Sequence, residues 1–337
     1  MTRTPDGASE ARLDQIRDEA QRRGTVDAKG VRPPGSPFPQ ATDVNGYYGV
    51  PLLKAPVWTW EVPLYFFVGG AAGATAMVAL AAQLTGGDRD LLRDARWIAA
   101  IGAAASGPLL IADLGRPERF LNMLRVIKLQ SPMSVGAWTL AGFGTFSAAT
   151  ALAEELGRRT ALPVRLAGNL AGVLSAVTGL GMATYTGVLL GATAIPLWNE
   201  HVDTLPIHFA ASALGSSVSL LQLRGHEHAS LQVLGLAAAT FETWTAYRIE
   251  SDRSPATEPL RRGESGITTR LGAFLSGPLP LALRAFGFRS KRARRAAAVS
   301  SLLGSVLTRF AWVEAGKASA RDVRVPLDLP PRRDGES

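Results

Sequence analysis

The chain of 337 residues is 47% hydrophobic but only 19% charged and 7% aromatic, whereas a soluble domain carries about 25% charge. Long charge-free runs alternate with short Arg-rich links, the layout of a polytopic membrane protein, and the net charge of +8 sits in links and tails that leave no folded basic domain to bind nucleic acid. The chain has no cysteine, which excludes disulfides, thiolate zinc sites, covalent c-type haem and any iron–sulfur cluster held by this chain.

Residues 1–45 carry Pro33, Pro34, Pro37 and Pro39 among mixed charges, and are expected to form a polar, largely disordered tail with a possible helical stretch over 8–23. Residues 1–40 contain no apolar core of a cleavable signal. The first apolar stretch, near Trp58, is therefore expected to act as both insertion signal and first span. Continuous apolar runs without strict alternation predict helices rather than barrel strands. Six spans are expected over residues 58–84, 95–113, 133–156, 164–190, 205–223 and 229–247. A link rich in Pro, Glu and Arg follows. The seventh candidate, 271–283, contains Pro278 and Pro280 and is shorter than the ~20 residues a spanning helix needs. The eighth covers 296–315. The expected fold is thus all-α: a polytopic membrane helix bundle of about eight transmembrane helices over 46–320, with a polar C-terminal tail at 321–337, embedded in lipid as a multi-pass protein of the cell membrane. Runs such as Gly69-Gly70-Ala71-Ala72-Gly73 let helix backbones approach closely where lipid gives no hydrophobic force between them.

Counting span ends sorts the polar residues onto faces. Glu61 lies one turn into the first span, at the face that carries the N-terminus. Asp113 ends the second span there, Tyr185 lies near the returning end of the fourth, and His208 opens the fifth. Glu242 lies toward that end of the sixth, and Arg309 and Glu314 toward that end of the eighth. Each ionisable group inside a bilayer costs roughly 2.5–3.5 kcal/mol on insertion scales. A one-sided cluster suits a site that binds a polar head group and exchanges protons. Simpler roles compete: Asp113 with Arg116 or Arg119 as an ion pair closing the second span, Arg309 paired with Glu314 or snorkelling to the interface, and Trp58, Trp60 and Trp198 as an interfacial aromatic belt. Glu61, between Trp60 and Val62-Pro63, has no evident structural purpose.

At these residues the chain resembles the NrfD/PsrC family, the membrane subunits of nitrite, polysulfide and related molybdopterin or cytochrome reductases. Three ordered stretches carry the resemblance. They are Trp58-Thr59-Trp60-Glu61-Val62-Pro63-Leu64-Tyr65-Phe66-Phe67-Val68-Gly69-Gly70; Asp113-Leu114-Gly115-Arg116-Pro117 with Ser131-Pro132-Met133-Ser134, Gly136 and Trp138; and Tyr185-Thr186-Gly187-Val188-Leu189-Leu190 with Pro196-Leu197-Trp198. The resemblance covers about residues 47–320. It implies a subunit without haem, metal or cluster that binds menaquinone or ubiquinone near the face docking an iron–sulfur [4Fe–4S] subunit, which in turn serves a molybdopterin catalytic subunit. In the family pattern an Asn and a His on the first helix and a Tyr on the fourth surround the quinone. The Tyr corresponds to Tyr185, the Asn position to Glu61 and the His position to Leu64, so the polarity of the site is altered, in a form closer to formate-dehydrogenase-linked members.

The expected roles are therefore quinone binding for Tyr185, Glu61, Trp60 and Trp198, and proton relay for Glu61, Asp113, His208 and Glu242. Structural ion pairing is expected among Asp113, Arg116, Arg119, Arg309 and Glu314. A proton- or ion-translocating subunit using Glu242, Arg309 and Asp113 is the first alternative, disfavoured by the scarcity of polar residues in the opposite halves of the spans. A di-haem cytochrome needs paired intramembrane histidines, yet His201, His226 and His228 stand in links. A purely anchoring subunit is the third. The basic tails favour cytoplasmic termini and the basic run at 289–295 pulls the other way.

Overall fold

A computed structural model of the protein describes residues 53–113, 122–157, 162–287 and 290–321, and every regular element among them is helical. The 1–45 tail, Arg116, Arg119 and residues 322–337 lie outside the described residues.

The helix α1 (Glu61–Leu84) ends at a turn in which Gly86 takes φ 64°, a left-handed conformation that glycine adopts without steric cost. Asp88 then caps α2 (Arg89–Asp113), its Oδ1 accepting from the Asp90 amide at 3.0 Å. Ser131 caps α3 (Pro132–Leu156), with Pro132 at the first position where a missing amide proton costs nothing. The helix α4 (Leu162–Gly191) leads through a short α5 (Pro196–Glu200) into α6 (Leu205–Leu223) and α7 (Ala229–Ser251). A 3-10 turn at Pro255–Thr257 and α8 (Glu258–Arg261) precede α9 (Gly263–Ser276), α10 (Pro278–Phe286) and α11 (Lys291–Arg321).

Among the described residues, four helices are long and apolar enough to cross a membrane: α1, α2, the Pro163–Gly191 stretch of α4, and α11. In α6 the apolar run is diluted by His208, four serines and Gln222, and in α3 and α7 by Ser, Thr and Glu. The expected seventh span is not one helix. It is two, α9 and α10, broken at Gly277 (φ −107°, ψ −92°), because Pro278 lacks an amide proton and disfavours helical geometry in the residue before it. A Cβ on Gly277 would lie 2.8 Å from the Thr243 amide nitrogen, so the break packs directly against α7. The eighth span is longer than expected. At 31 residues, α11 runs for about 46 Å, well beyond the ~30 Å hydrocarbon core.

The helix α1 is central, touching α2, α4, α6 and α11. A Cβ on Gly73 would collide with the Gly179 carbonyl oxygen of α4, and one on Gly102 with Ala72; the small-residue runs set these close crossings. One group of helices is α1–α4, and a second is α6, α7, α9–α10 and α11, joined where α6 packs on α1 and α4. We call the end of the bundle where α1 begins the N-terminal face.

Buried charge is not confined to that face, contrary to the expectation from span counting. At the opposite end Arg96 is 5% exposed. It donates to Glu154, to Gln83 Oε1 at 2.7 Å and to Asn169 Oδ1 at 3.0 Å, tying α1, α2, α3 and α4 together. Arg284 on α10 is 2% exposed and donates to Gln222 Oε1 at 2.7 Å and Ser219 Oγ at 3.2 Å. Gly235 leaves the room its guanidinium fills.

Candidate functional site

Three groups of polar residues lie under the N-terminal face. The first is built at the start of α1. The Thr59 amide donates to Asp113 Oδ1 at 3.3 Å, and the Thr59 hydroxyl sits between that oxygen and Glu61 Oε2. The end of α2 thereby brings Glu61 and Asp113 to one hydroxyl, 54 residues apart in sequence from Thr59 to Asp113. Trp60 beside them is 58% exposed.

The second group surrounds Tyr185. Its phenol donates to the Pro132 carbonyl oxygen at the start of α3, and its ring occupies the space that a side chain at Gly136 would need. The Ser-Pro-Met-Ser-Val-Gly stretch thus makes a seat for this ring. Trp198 is not an interfacial residue. It is fully buried, stacked on Trp58 at 5.5 Å, and its Nε1 donates to the Trp312 carbonyl oxygen at 2.9 Å. Gly316 on α11 gives its indole room, and the Leu197 amide donates to Ser319 Oγ at 3.2 Å. The Pro-Leu-Trp turn clamps α5 to α11.

The third group is the most deeply buried. Glu242 (3% exposed), His208 (5%) and Arg309 (1%) come from α7, α6 and α11. Ser276, the last residue before the Gly277 break, donates to Glu242 Oε2 at 2.9 Å, and His208 Nδ1 lies 3.7 Å from Glu242 Oε1. Arg309 donates to the Phe209 carbonyl oxygen at 2.9 Å with its guanidinium 3.8 Å from the Phe209 ring centre. The expected Arg309–Glu314 pair does not form: Glu314 accepts from Lys317 at 2.7 Å instead, and Arg309 turns inward, where its charge acts on Glu242. Ser212 and Ser305 share a 2.8 Å hydrogen bond beside the cluster.

Several atoms in this third group are left over. His208 Nδ1 and Nε2, Glu242 Oε1, and Arg309 Nε and Nη1 are buried without a hydrogen-bond partner among the described residues. Buried polar groups are nearly always satisfied, so such a concentration marks a place for a polar ligand atom or water. A void of about 10 Å³, lined by His208, Glu242, Thr308 and Trp312, adjoins them, close to the size one water needs. Next to it, sharing His208, Ile249 and Trp312, is a cavity of about 310 Å³ walled by Phe241, Trp244 and Trp312. Ile207 (58% exposed) and Trp244 (50%) form its rim on the outer surface between α6 and α7. His201, which lines the same cavity from the loop after α5, bonds Thr257 Oγ1 at 3.1 Å; burial holds its imidazole below the ordinary value, with Asp252 opposing.

The sequence set His208, Glu242 and Arg309 toward one face and joined Glu242 with Arg309 only in the ion-path alternative, without bringing His208 to them. Ser276, Arg284 and Trp312 were missed. The only hint of Ser276 was its position before Gly277-Pro278.

A bundle of apolar helices with ionisable groups gathered in its interior defines a membrane-integral protein. The chain belongs to the NrfD family: residues 51–226, half of its length, match the family described as polysulphide reductase, NrfD. That family comprises membrane subunits of molybdoenzyme complexes. No curated protein matches the chain. The match takes in α1–α6, including Glu61, Tyr185 and His208, and stops short of Glu242 and Arg309.

Proposed function

We propose that this chain is the quinone-reactive subunit of a cell-membrane oxidoreductase complex. In this reading it crosses the bilayer eight times, with α9 and α10 as one broken crossing. It takes electrons from a [4Fe–4S] partner of a molybdopterin catalytic subunit at the N-terminal face and delivers them to menaquinone or ubiquinone. Family membership supports the setting. The observation that carries the site is the set of unpartnered atoms on His208, Glu242 and Arg309 beside a cavity of about 310 Å³, at the small end of the ~300–1,000 Å³ typical of ligand pockets.

A bound quinone would supply the acceptor for two electrons and two protons. The residues present fit such a head group. Phe241, Trp244 and Trp312 offer flat apolar walls, and the rim at Ile207 and Trp244 faces the lipid from which an isoprenoid tail would come. His208 lines both the cavity and the small void and can hold a carbonyl oxygen through a ring N–H. Glu242, about 14 Å along α7 from its end, can pass protons through the void to His208. Arg309, with one proton-bearing nitrogen on the Phe209 carbonyl, offsets the carboxylate's charge.

This location is preferred to one on Tyr185, Glu61, Trp60 and Trp198. The Tyr185 proton already goes to the Pro132 carbonyl, and the Trp198 N–H to the Trp312 carbonyl. In this reading Glu61 and Asp113, bridged by Thr59, relay protons at the surface. Labelling of the complex with a photoreactive quinone separates the two locations. Crosslinks on α6 and α7 peptides are expected; crosslinks confined to α1 and α4 would refute the cavity assignment.

Proton translocation is a second reading, favoured by a buried polar stripe. His208, Ser212, Ser216, Ser219 and Gln222 recur along one side of α6, a rise of about 21 Å. Arg284 meets the far end of the stripe at Ser219 and Gln222. If the stripe conducts, Arg284→Gln in reconstituted vesicles should abolish turnover-linked pH change while quinone turnover continues. Unchanged pH coupling would refute conduction along this stripe.

A further inference from the structure

Independently of the quinone reading, the opposite face carries a cluster that sequence reading passed over because its histidines stand in a link. Gly86 (φ 64°) and Gly225 (φ 103°) each turn the chain back sharply, and the two turns bring Asp88, His226 and His228 together, with one ligand atom from each within 4.8 Å of the others. The backbone between Gly225 and α7 is non-helical, and in an extended segment residues two apart share a side. The His226 and His228 rings accordingly stack at 6.2 Å, 18° from parallel. Glu227 points elsewhere, to Arg294 at 2.7 Å.

We propose that Asp88, His226 and His228 bind a divalent transition metal of the Zn²⁺ class, with water completing a tetrahedron. Two imidazoles and a carboxylate are a donor set suited to such ions. The spacing fits: His228 Nε2 is 3.3 Å from Asp88 Oδ2, equal to the ~3.3 Å edge of a tetrahedron with 2.0–2.1 Å bonds. The remaining distances close by rotation of exposed side chains, His228 being 38% and Asp88 41% exposed. Asp88 is free to serve, since only its Oδ1 is used in capping α2. His226 is held by a positioning residue. Asp94 Oδ2 lies 3.0 Å from His226 Nε2, and Arg224 fixes Asp94 with contacts of 3.1 and 3.2 Å. A carboxylate behind a ligating histidine is the usual outer support of such sites. The bound ion joins the α1–α2 turn to the α6–α7 turn, and so staples the two groups of helices at this face.

The test is Zn²⁺ titration of the purified complex bearing no polyhistidine tag, by competition with a chromophoric chelator and by metal analysis after dialysis. One tight Zn²⁺ per copy of this chain is expected, with a rise in its melting temperature. Asp88→Asn keeps a good helix cap and removes the anionic ligand, and His228→Ala alters an exposed side chain; both should lose the site and the thermal shift. Asp94→Asn should weaken binding by about 10–100-fold. Glu227→Gln, in the same link, should leave affinity unchanged. Absence of a stoichiometric ion in the parent protein, or equal binding by His228→Ala and Asp88→Asn, overturns the proposal.

Discussion

Replacing Glu242 by Gln tests the buried cluster most directly, because the structure separates its effect on folding from its effect on turnover. The amide keeps the side-chain volume and retains an oxygen to accept from Ser276, now 2.9 Å from Glu242 Oε2. Only the charge is lost. Two electrostatic terms then oppose each other. Arg309 makes no ion pair with Glu242 within 4 Å, so it loses an attraction below the ~4 kcal/mol of two charges 4 Å apart at an effective dielectric of 20. The cost of holding a desolvated carboxylate, several kcal/mol per ion after relaxation, disappears with it. The net change in stability is the small difference of the two, and the complex should assemble normally. Turnover has no such offset. A positioned acid–base group contributes about 10²–10⁴-fold, so quinone-linked turnover of the purified complex should fall by that factor. Reduction of an artificial dye by the catalytic subunit, which bypasses the membrane site, should be unchanged. Parental quinone turnover by Glu242→Gln across about pH 6–8, in correctly assembled complex, would refute the role of this cluster.

Two further outcomes follow from the same geometry. Tyr185→Phe removes the proton given to the Pro132 carbonyl, so it should cost ~0.5–1.5 kcal/mol of stability, read as a modest drop in melting temperature, and leave the KM for quinone near its parental value; a large rise in KM would return the head group to Tyr185. His201, outside the spans, is held by burial below its ordinary value of 6.5; below that pH the unfolded chain gains a proton that the folded one refuses, so stability falls with acidification toward the folded value. His201→Gln should therefore flatten the acid side of the melting-temperature profile, and an identical slope in both proteins would count against this imidazole as its source.

Helices with long unbroken apolar runs were legible, and the boundaries of α3, α6 and α7 lie within a few residues of expectation. The exceptions have local causes. Residues 271–283 read as one weak helix because hydropathy averages over Gly277, whereas backbone geometry at a Gly-Pro step does not. Arg284 stands one residue beyond that window; its burial depends on Gly235 of α7 and Gln222 of α6, neither adjacent in sequence. Trp198 looked interfacial because indole rings favour that zone; the glycine that buries it, Gly316, is on α11. Glu314 drew Arg309 on paper by proximity along the helix, yet Lys317 stands on the same side at three residues' spacing. The Glu242–His208–Arg309 cluster joins three helices across about 100 residues, a juxtaposition that no periodicity encodes.

Trp312 holds both ends of a short lever. Its backbone carbonyl is gripped by Trp198, on which Trp58 from the opening of α1 also leans, while its ring sits edge-on to His201 at 5.3 Å and beside His208 at 6.1 Å. The turn that carries Trp198 lies at the N-terminal face, and the ring forms a wall of the cavity inside. The Trp58–Trp198 stack and the Trp198–Trp312 hydrogen bond are direct contacts, of the kind that transmit strain. A load applied to that surface turn reaches the wall of the cavity through the two residues Trp198 and Trp312, without passing along the length of any helix.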